Sequence, residues 1–235
     1  MPVELEKIAA AIAALYNAAG VKIPSREACI TPLRDLVGSL NLNCVELPKL
    51  TSRAAADFLL RRNVSVTSSV NLNQVSLAGY LHVSPNFGCI FVNQDDRVTR
   101  RRFSIAHELG HYILHFRPLL DELKSRGELL TISVTDSFAD AIPGDQGDSD
   151  EPIDRASRGR VSFSDPTLVA GLLPPLEQME DEADAFASEL LVPADVVRAQ
   201  MARLGLPKDD LAWKLASEML VSRSAVDRRL EDLQL

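Results

Sequence analysis

The stretch RRFSIAHELGHYILH, residues 101–115, carries three of the chain's four histidines, His107, His111 and His115, at every fourth position, with Glu108 between the first two. At about 100° per residue a helix sets His107 and His111 about 40° apart around its axis, so both imidazoles can reach one ion. Glu108 falls about 60° from His111 on the same broad face. This is the HExxH spacing: two neutral nitrogen ligands for Zn2+, and a carboxylate beside them that can handle a proton because it is not itself a ligand. Ile105, Leu109, Tyr112 and Phe116, widened by Ala106, Ile113 and Leu114, supply the apolar stripe that docks such a helix on a core. The pattern predicts a helix that starts at the capping residues NQDD (93–96) and ends at Pro118.

A catalytic zinc site needs a third protein ligand and an open fourth position. The longer HExxHxxGxxH pattern fails here, because Leu114 and Arg117 stand where Gly and His belong. A carboxylate from a second helix is therefore required. EADAFASELL, residues 182–191, places Glu182 beside a helical stripe through Met179, Ala183, Phe186, Leu190 and Leu191, and Glu182 is the candidate.

The rest of the chain supplies both kinds of element. Residues 3–19, 31–42 and 51–63 have helical periodicity, the first stopped by Gly20 and the last opened by Thr51 or Ser52 as N-cap. VSVTSSV (64–70), LAGYLHV (77–83) and GCIFVN (88–93) read as strands, the last two as a hairpin through SPNFG, and LLTISV (129–134) as a further short strand. The tail 206–235 reads as helix, turn near Val221 and Ser222, helix. The expected fold is α+β, a small antiparallel sheet packed on helices that include the HExxH helix, with a helix-turn-helix-like pair at the C-terminus. The expected organisation is an N-terminal helical region (1–63), a core (64–200) and the C-terminal pair (201–235).

Composition bears on partners. The formal net charge is −8, but seven acidic residues and no basic one lie between positions 136 and 154, so the remainder is nearly neutral. That acidic run sits in a segment, about 119–175, whose centre (IPGDQGDSDEP) is too poor in apolar groups to offset the ordering of its backbone, and it reads as a long loop. DQGDSDE lacks the spacing and glycine of a calcium loop. Residues 207–235 hold five basic against six acidic residues, poor electrostatics for phosphate, so direct nucleic-acid binding is not expected. No run reaches the ~18 apolar residues of a membrane span, and the first twenty residues lack the basic start and cleavage site of a signal peptide. Three widely spaced cysteines suggest neither a disulfide framework nor a cysteine zinc site, and the expected location is cytoplasmic.

Other polar residues near the motif have a functional and a plain reading. His115 could be an extra ligand or a hydrogen-bonding neighbour of one, against a structural histidine. His82 and Tyr80 could stabilise an oxyanion from a strand beside the motif helix. Arg97, Arg100, Arg101 and Arg102 could grip acidic groups, against ordinary surface arginines.

Taken together, RRFSIAHELGHYILH, EADAFASELLVP and LASEMLVSRSAVDRRLEDL resemble the ImmA/IrrE family of metallopeptidases, whose pattern is AHELGH, then Glu-Ala-Asn-x-Phe-Ala, then Leu-Leu-x-Pro and a helical pair. The resemblance covers roughly residues 78–116 and 176–233. It implies Zn2+ held by His107, His111 and Glu182, with Glu108 as general base, in an endopeptidase that cuts a specific protein, typically a helix-turn-helix repressor, to relieve repression. The competing reading is a non-catalytic zinc-containing regulator that binds DNA or a partner through its C-terminal helices. Asp184 departs from the family's common Asn, and the interval from His111 to Glu182 exceeds the family's usual one, so the acidic segment reads as an insertion. Glu180 and Asp181 stand as the nearest alternatives for the third ligand.

Overall fold

The computed structural model describes residues 4–25, 28–66, 75–136 and 160–235. One five-stranded sheet, in the order β1-β3-β2-β4-β5, organises the molecule. Strands β2 (Gly79–Ser84) and β3 (Phe87–Asn93) form the expected hairpin, antiparallel from Gly79 opposite Val92 to Ser84 opposite Phe87. β4 (Ile132–Asp136) adds antiparallel to β2, and β5 (Arg160–Phe163) antiparallel to β4. β1 (Leu42–Leu47) lies parallel to β3, so the sheet is mixed rather than purely antiparallel.

Helix pattern and strand pattern meet in the N-terminal third. The helix expected over 31–42 is α2 (Leu33–Ser39) only; Asn41 takes a left-handed turn (φ 57°), and the chain continues as β1. Asn tolerates that conformation better than most residues. Pairing follows from side-chain size, because Leu42 fills the space where a Cβ on Gly88 of β3 would sit. Helices α1 (Leu5–Ala19), stopped by left-handed Gly20, and α3 (Ser52–Leu60), capped by Thr51 Oγ accepting from the Ala54 N–H, match their sequence signals. Val64–Val66 form no strand, and the rest of the expected strand there lies outside the described residues.

Both faces of the hairpin are covered, which accounts for its nearly continuous apolar run. Leu81, Val83, Ile90 and Val92 join Ile132 and Val134 of β4 in the main core. Tyr80, Cys89 and Phe91 point the other way, into a smaller cluster with Leu50 and with Ala55 and Leu59 of α3. The main core takes Ile105, Ala106 and Leu109 of α4 (Val98–His111) and Phe186, Ala187 and Leu190 of α6 (Leu176–Leu191). Ile8, Leu15 and Tyr16 of α1 pack there too.

The motif helix does not stop at Pro118. After His111 the backbone opens into a π-helical turn, Tyr112–Phe116, in which the Arg117 N–H reaches the Tyr112 carbonyl, and then resumes as α5 (Arg117–Ser125). The π turn resets the helix, so Pro118 falls in the first turn of α5, where its missing N–H is not needed.

Beyond α6, α7 (Ala194–Leu204) precedes the C-terminal pair α8 (Lys208–Met219) and α9 (Arg223–Asp232). The pair buries Leu211, Leu215, Met219, Val226 and Leu230 in the main core. Arg229 of α9 is buried rather than displayed: its Nε–H donates to the Val192 carbonyl at 3.1 Å, and its guanidinium pairs with Glu189 of α6. Among the described residues no helix is long and apolar enough to cross a membrane. The acidic run expected as a long loop lies, apart from Asp136 at the end of β4, outside the described residues.

His82 sits opposite Ser133 across β2 and β4, fully buried, with Nδ1 3.2 Å from Ser133 Oγ. Burial pushes its pKa down from 6.5 to about 4. Between those values the unfolded chain binds a proton that the folded chain resists, so His82 contributes stability above pH ~6.5 that is lost as pH falls toward ~4. The loss should reach about 2–3 kcal/mol. Urea unfolding of the wild type and of His82→Gln across that range checks this: the variant should show a flatter pH dependence, and parallel curves would refute it.

Candidate metal centre

Two helices build the site. α4 crosses the main-core side of the hairpin, and α6 packs directly on it. Gly110, inside HELGH, permits the approach: a Cβ there would stand 3.2 Å from both the Ala183 Cα and the Phe186 Cβ. The small side chains Ala183 and Ala187 complete the contact from α6.

At this crossing His107 and His111 turn Nε2 toward each other, 3.1 Å apart. Glu180 lies across them, Oε2 3.4 Å from His107 Nε2 and Oε1 3.4 Å from His111 Nε2. All three residues are buried, and their donor atoms lie within 4.8 Å of one another. A tetrahedral ion with ligands at roughly 2.0–2.1 Å sets those ligands roughly 3.3–3.4 Å apart, close to the spacing found. Protonation points the same way. His107 Nδ1 is 2.9 Å from Asp184 Oδ1, and a carboxylate only accepts, so Nδ1 carries the proton and Nε2 is a bare lone pair. A lone pair facing a carboxylate 3.4 Å away, in a buried site, fits a cation between them. Burial alone would raise the Glu180 pKa, but the facing imidazoles of His107 and His111 hold it well below the usual carboxylate range. The His111 pKa is lowered, chiefly by burial.

Glu182, the sequence-based candidate for the third ligand, is directed elsewhere. It takes a hydrogen bond from Gln178 at 2.7 Å, sits 3.1 Å from His115 Nε2, and pairs with Lys7 of α1 at 3.6 Å. Two residues along a helix are about 200° around its axis, so Glu180 and Glu182 cannot address one point. Glu180 and Asp184, four apart, share a face with Ala183 and Ala187. The missed signal is therefore register: in EDEADAFA the small residues mark the side that meets Gly110, and Glu180, not Glu182, stands on it.

The remaining candidates separate cleanly. His115 continues the histidine row but is not brought to the centre; burial lowers its pKa to about 4, and neutral, it donates to Glu182. His82 and Tyr80 lie on the face of the sheet turned away from α4, which removes them from any oxyanion role beside the motif. Arg102 donates to the Thr31 carbonyl, Arg101 pairs with Glu46 of β1, and Arg100 with Asp96; these arginines join α4 to its surroundings. Glu108 is fully buried, its carboxylate against β2, so that a Cβ on Gly79 would lie 2.6 Å from Oε1. GCIFVN is the inner strand β3, flanked by β1 and β2, so a peptide cannot add to the sheet along it.

No curated protein matches the chain. A family model described as the IrrE N-terminal-like domain of peptidase M78 matches residues 61–127 and 167–231, over half of the chain. The two matched blocks contain the whole of α4 and α6 and leave out most of the acidic segment together with β4 and β5. With the HExxH helix, the Glu180 helix and all but the last residue of the C-terminal pair inside the match, this chain belongs to the peptidase M78 family, the IrrE N-terminal-like metallopeptidase domains.

Proposed function

We propose that this protein is a zinc-dependent endopeptidase acting on a specific protein substrate, with His107, His111 and Glu180 as metal ligands and Glu108 as general base. The observation that carries the reading is the buried convergence of two imidazoles and one carboxylate beside a glutamate that is not one of the three. A structural zinc site is closed by a fourth protein ligand and has no use for a general base. Bound Zn2+ supplies Lewis-acid activation of water and of the scissile carbonyl. Glu108, one residue from His107 and held in place by β2, then takes a proton from the attacking water and returns it to the leaving amine. The α4–α6 contact at Gly110 keeps the ligands in register.

The substrate proposed is a helix-turn-helix repressor cut at one site in the cytoplasm, on the strength of family membership and of a C-terminal pair whose charge balance and inward Arg229 suit a structural role better than DNA binding. Incubating the zinc-loaded protein with purified repressors, with and without chelator, tests it: discrete, chelator-sensitive fragments are expected from one of them. Intact repressors under every condition count against it.

Gly79 offers a second check. In Gly79→Ala the new Cβ forces the Glu108 carboxylate aside without touching a ligand. Zn2+ affinity should stay at the wild-type value while kcat falls on the order of 10–100-fold, the cost of displacing a reacting group by about 1 Å. Unchanged turnover would show that Glu108 need not sit where β2 holds it.

A further inference from the structure

Asp184 lies four residues beyond Glu180 on the same face of α6. Its Oδ1 lies 2.9 Å from Nδ1 of His107. Its side chain is 37% exposed while that of His107 is 3% exposed, so the carboxylate sits at the rim of the site, in partial contact with water, and touches the buried imidazole from outside.

Carboxylate and amide differ here in kind. A neutral imidazole carries one proton on either ring nitrogen, and the partner of the other nitrogen decides which. An amide can accept from Nδ1–H through its oxygen or, turned over, donate to a bare Nδ1, so it serves both tautomers. A carboxylate only accepts. With Asp184 in place the proton belongs on Nδ1, and Nε2 is left as a lone pair aimed at Glu180 and at His111 Nε2. His111 has no such anchor: among the described residues its Nδ1 has no hydrogen-bond partner.

We propose that Asp184 is a positioning residue of the metal centre, whose carboxylate locks His107 in the metal-binding tautomer and thereby raises the affinity of this chain for Zn2+ above that of the same site with Asn. The proposal rests on the reading of His107, His111 and Glu180 as ligands.

The test uses the full chain and Zn2+ itself, with affinity read by competition against a chromophoric chelator for the wild type, Asp184→Asn, Asp184→Ala and His107→Ala. Imidazole 15N NMR of the metal-free proteins at about pH 8, where histidines are neutral, reads the His107 tautomer. Asp184→Ala should bind Zn2+ about 10–100-fold more weakly, the range for losing such a partner, and shift His107 toward the Nε2–H form. Asp184→Asn should fall between it and the wild type, with a mixture of tautomers, and being isosteric it decides the matter if the alanine variant does not fold. Wild-type affinity and tautomer in either Asp184 variant, with metal lost in His107→Ala, overturns the proposal and leaves the ligand reading standing. Wild-type affinity in His107→Ala overturns the ligand reading itself.

Discussion

Glu180→Ala should cost Zn2+ affinity on the order of 10²–10⁴-fold, whereas Glu182→Ala should bind the metal as the wild type does. The magnitude follows from dividing an apparent zinc-binding free energy of roughly 10–16 kcal/mol among three or four ligands. The contrast follows from geometry: Glu180 lies 3.4 Å from both His107 and His111 Nε2, and Glu182 faces His115, Gln178 and Lys7. Loss of Glu182 should appear instead as reduced stability, because it leaves His115 without its acceptor in a buried position. Chelator competition and thermal unfolding on both variants separate the two effects. Should Glu182→Ala lose the metal while Glu180→Ala keeps it, the assignment reverses.

Glu108→Gln should remain folded and load one Zn2+ per chain, yet cleave about 10²–10⁴-fold more slowly. Glutamine preserves the shape that fits against Gly79 but cannot take up a proton at neutral pH, so only the acid–base contribution is removed. If cleavage fell because metal was lost, the carboxylate would be acting as a ligand. Wild-type turnover in a zinc-loaded variant would leave the proposed mechanism without its base.

Much of this protein can be read from local pattern. HExxH, with apolar residues at helical spacing around it, specifies a helix with two imidazoles on one face whatever surrounds it, because the positions are tied by one regular geometry. The hairpin 79–93 was equally legible, since two short runs rich in β-branched and aromatic residues meet at a tight turn. Gly20 and Thr51 announced the ends of their helices through φ > 0 and a side-chain cap. Each of these features depends on residues within a few positions of one another.

What the local pattern could not decide was which residues meet across the chain. LNCVEL follows a helical run and has no alternation strong enough to mark it; it is a strand because it pairs along its length with β3, far along the sequence, where Gly88 leaves room for Leu42. GCIFVN was visible as a strand but not as an inner one, since neighbours on both sides come from distant segments. Pro118 marked a break that a π turn converts into a new helix start.

The carboxylate beside His107 and His111 shows the limit most plainly. EDEAD offers carboxylates at 180, 181, 182 and 184, and the sequence by itself determined that one of this helix's acids would meet the histidines. Which one was set by the rotation of α6 about its own axis, and that rotation was decided only when Ala183 and Phe186 packed against Gly110. Helix period ties residues within an element to one another, but the phase between two elements is fixed by the shapes of the surfaces that touch, and these exist only in the folded protein.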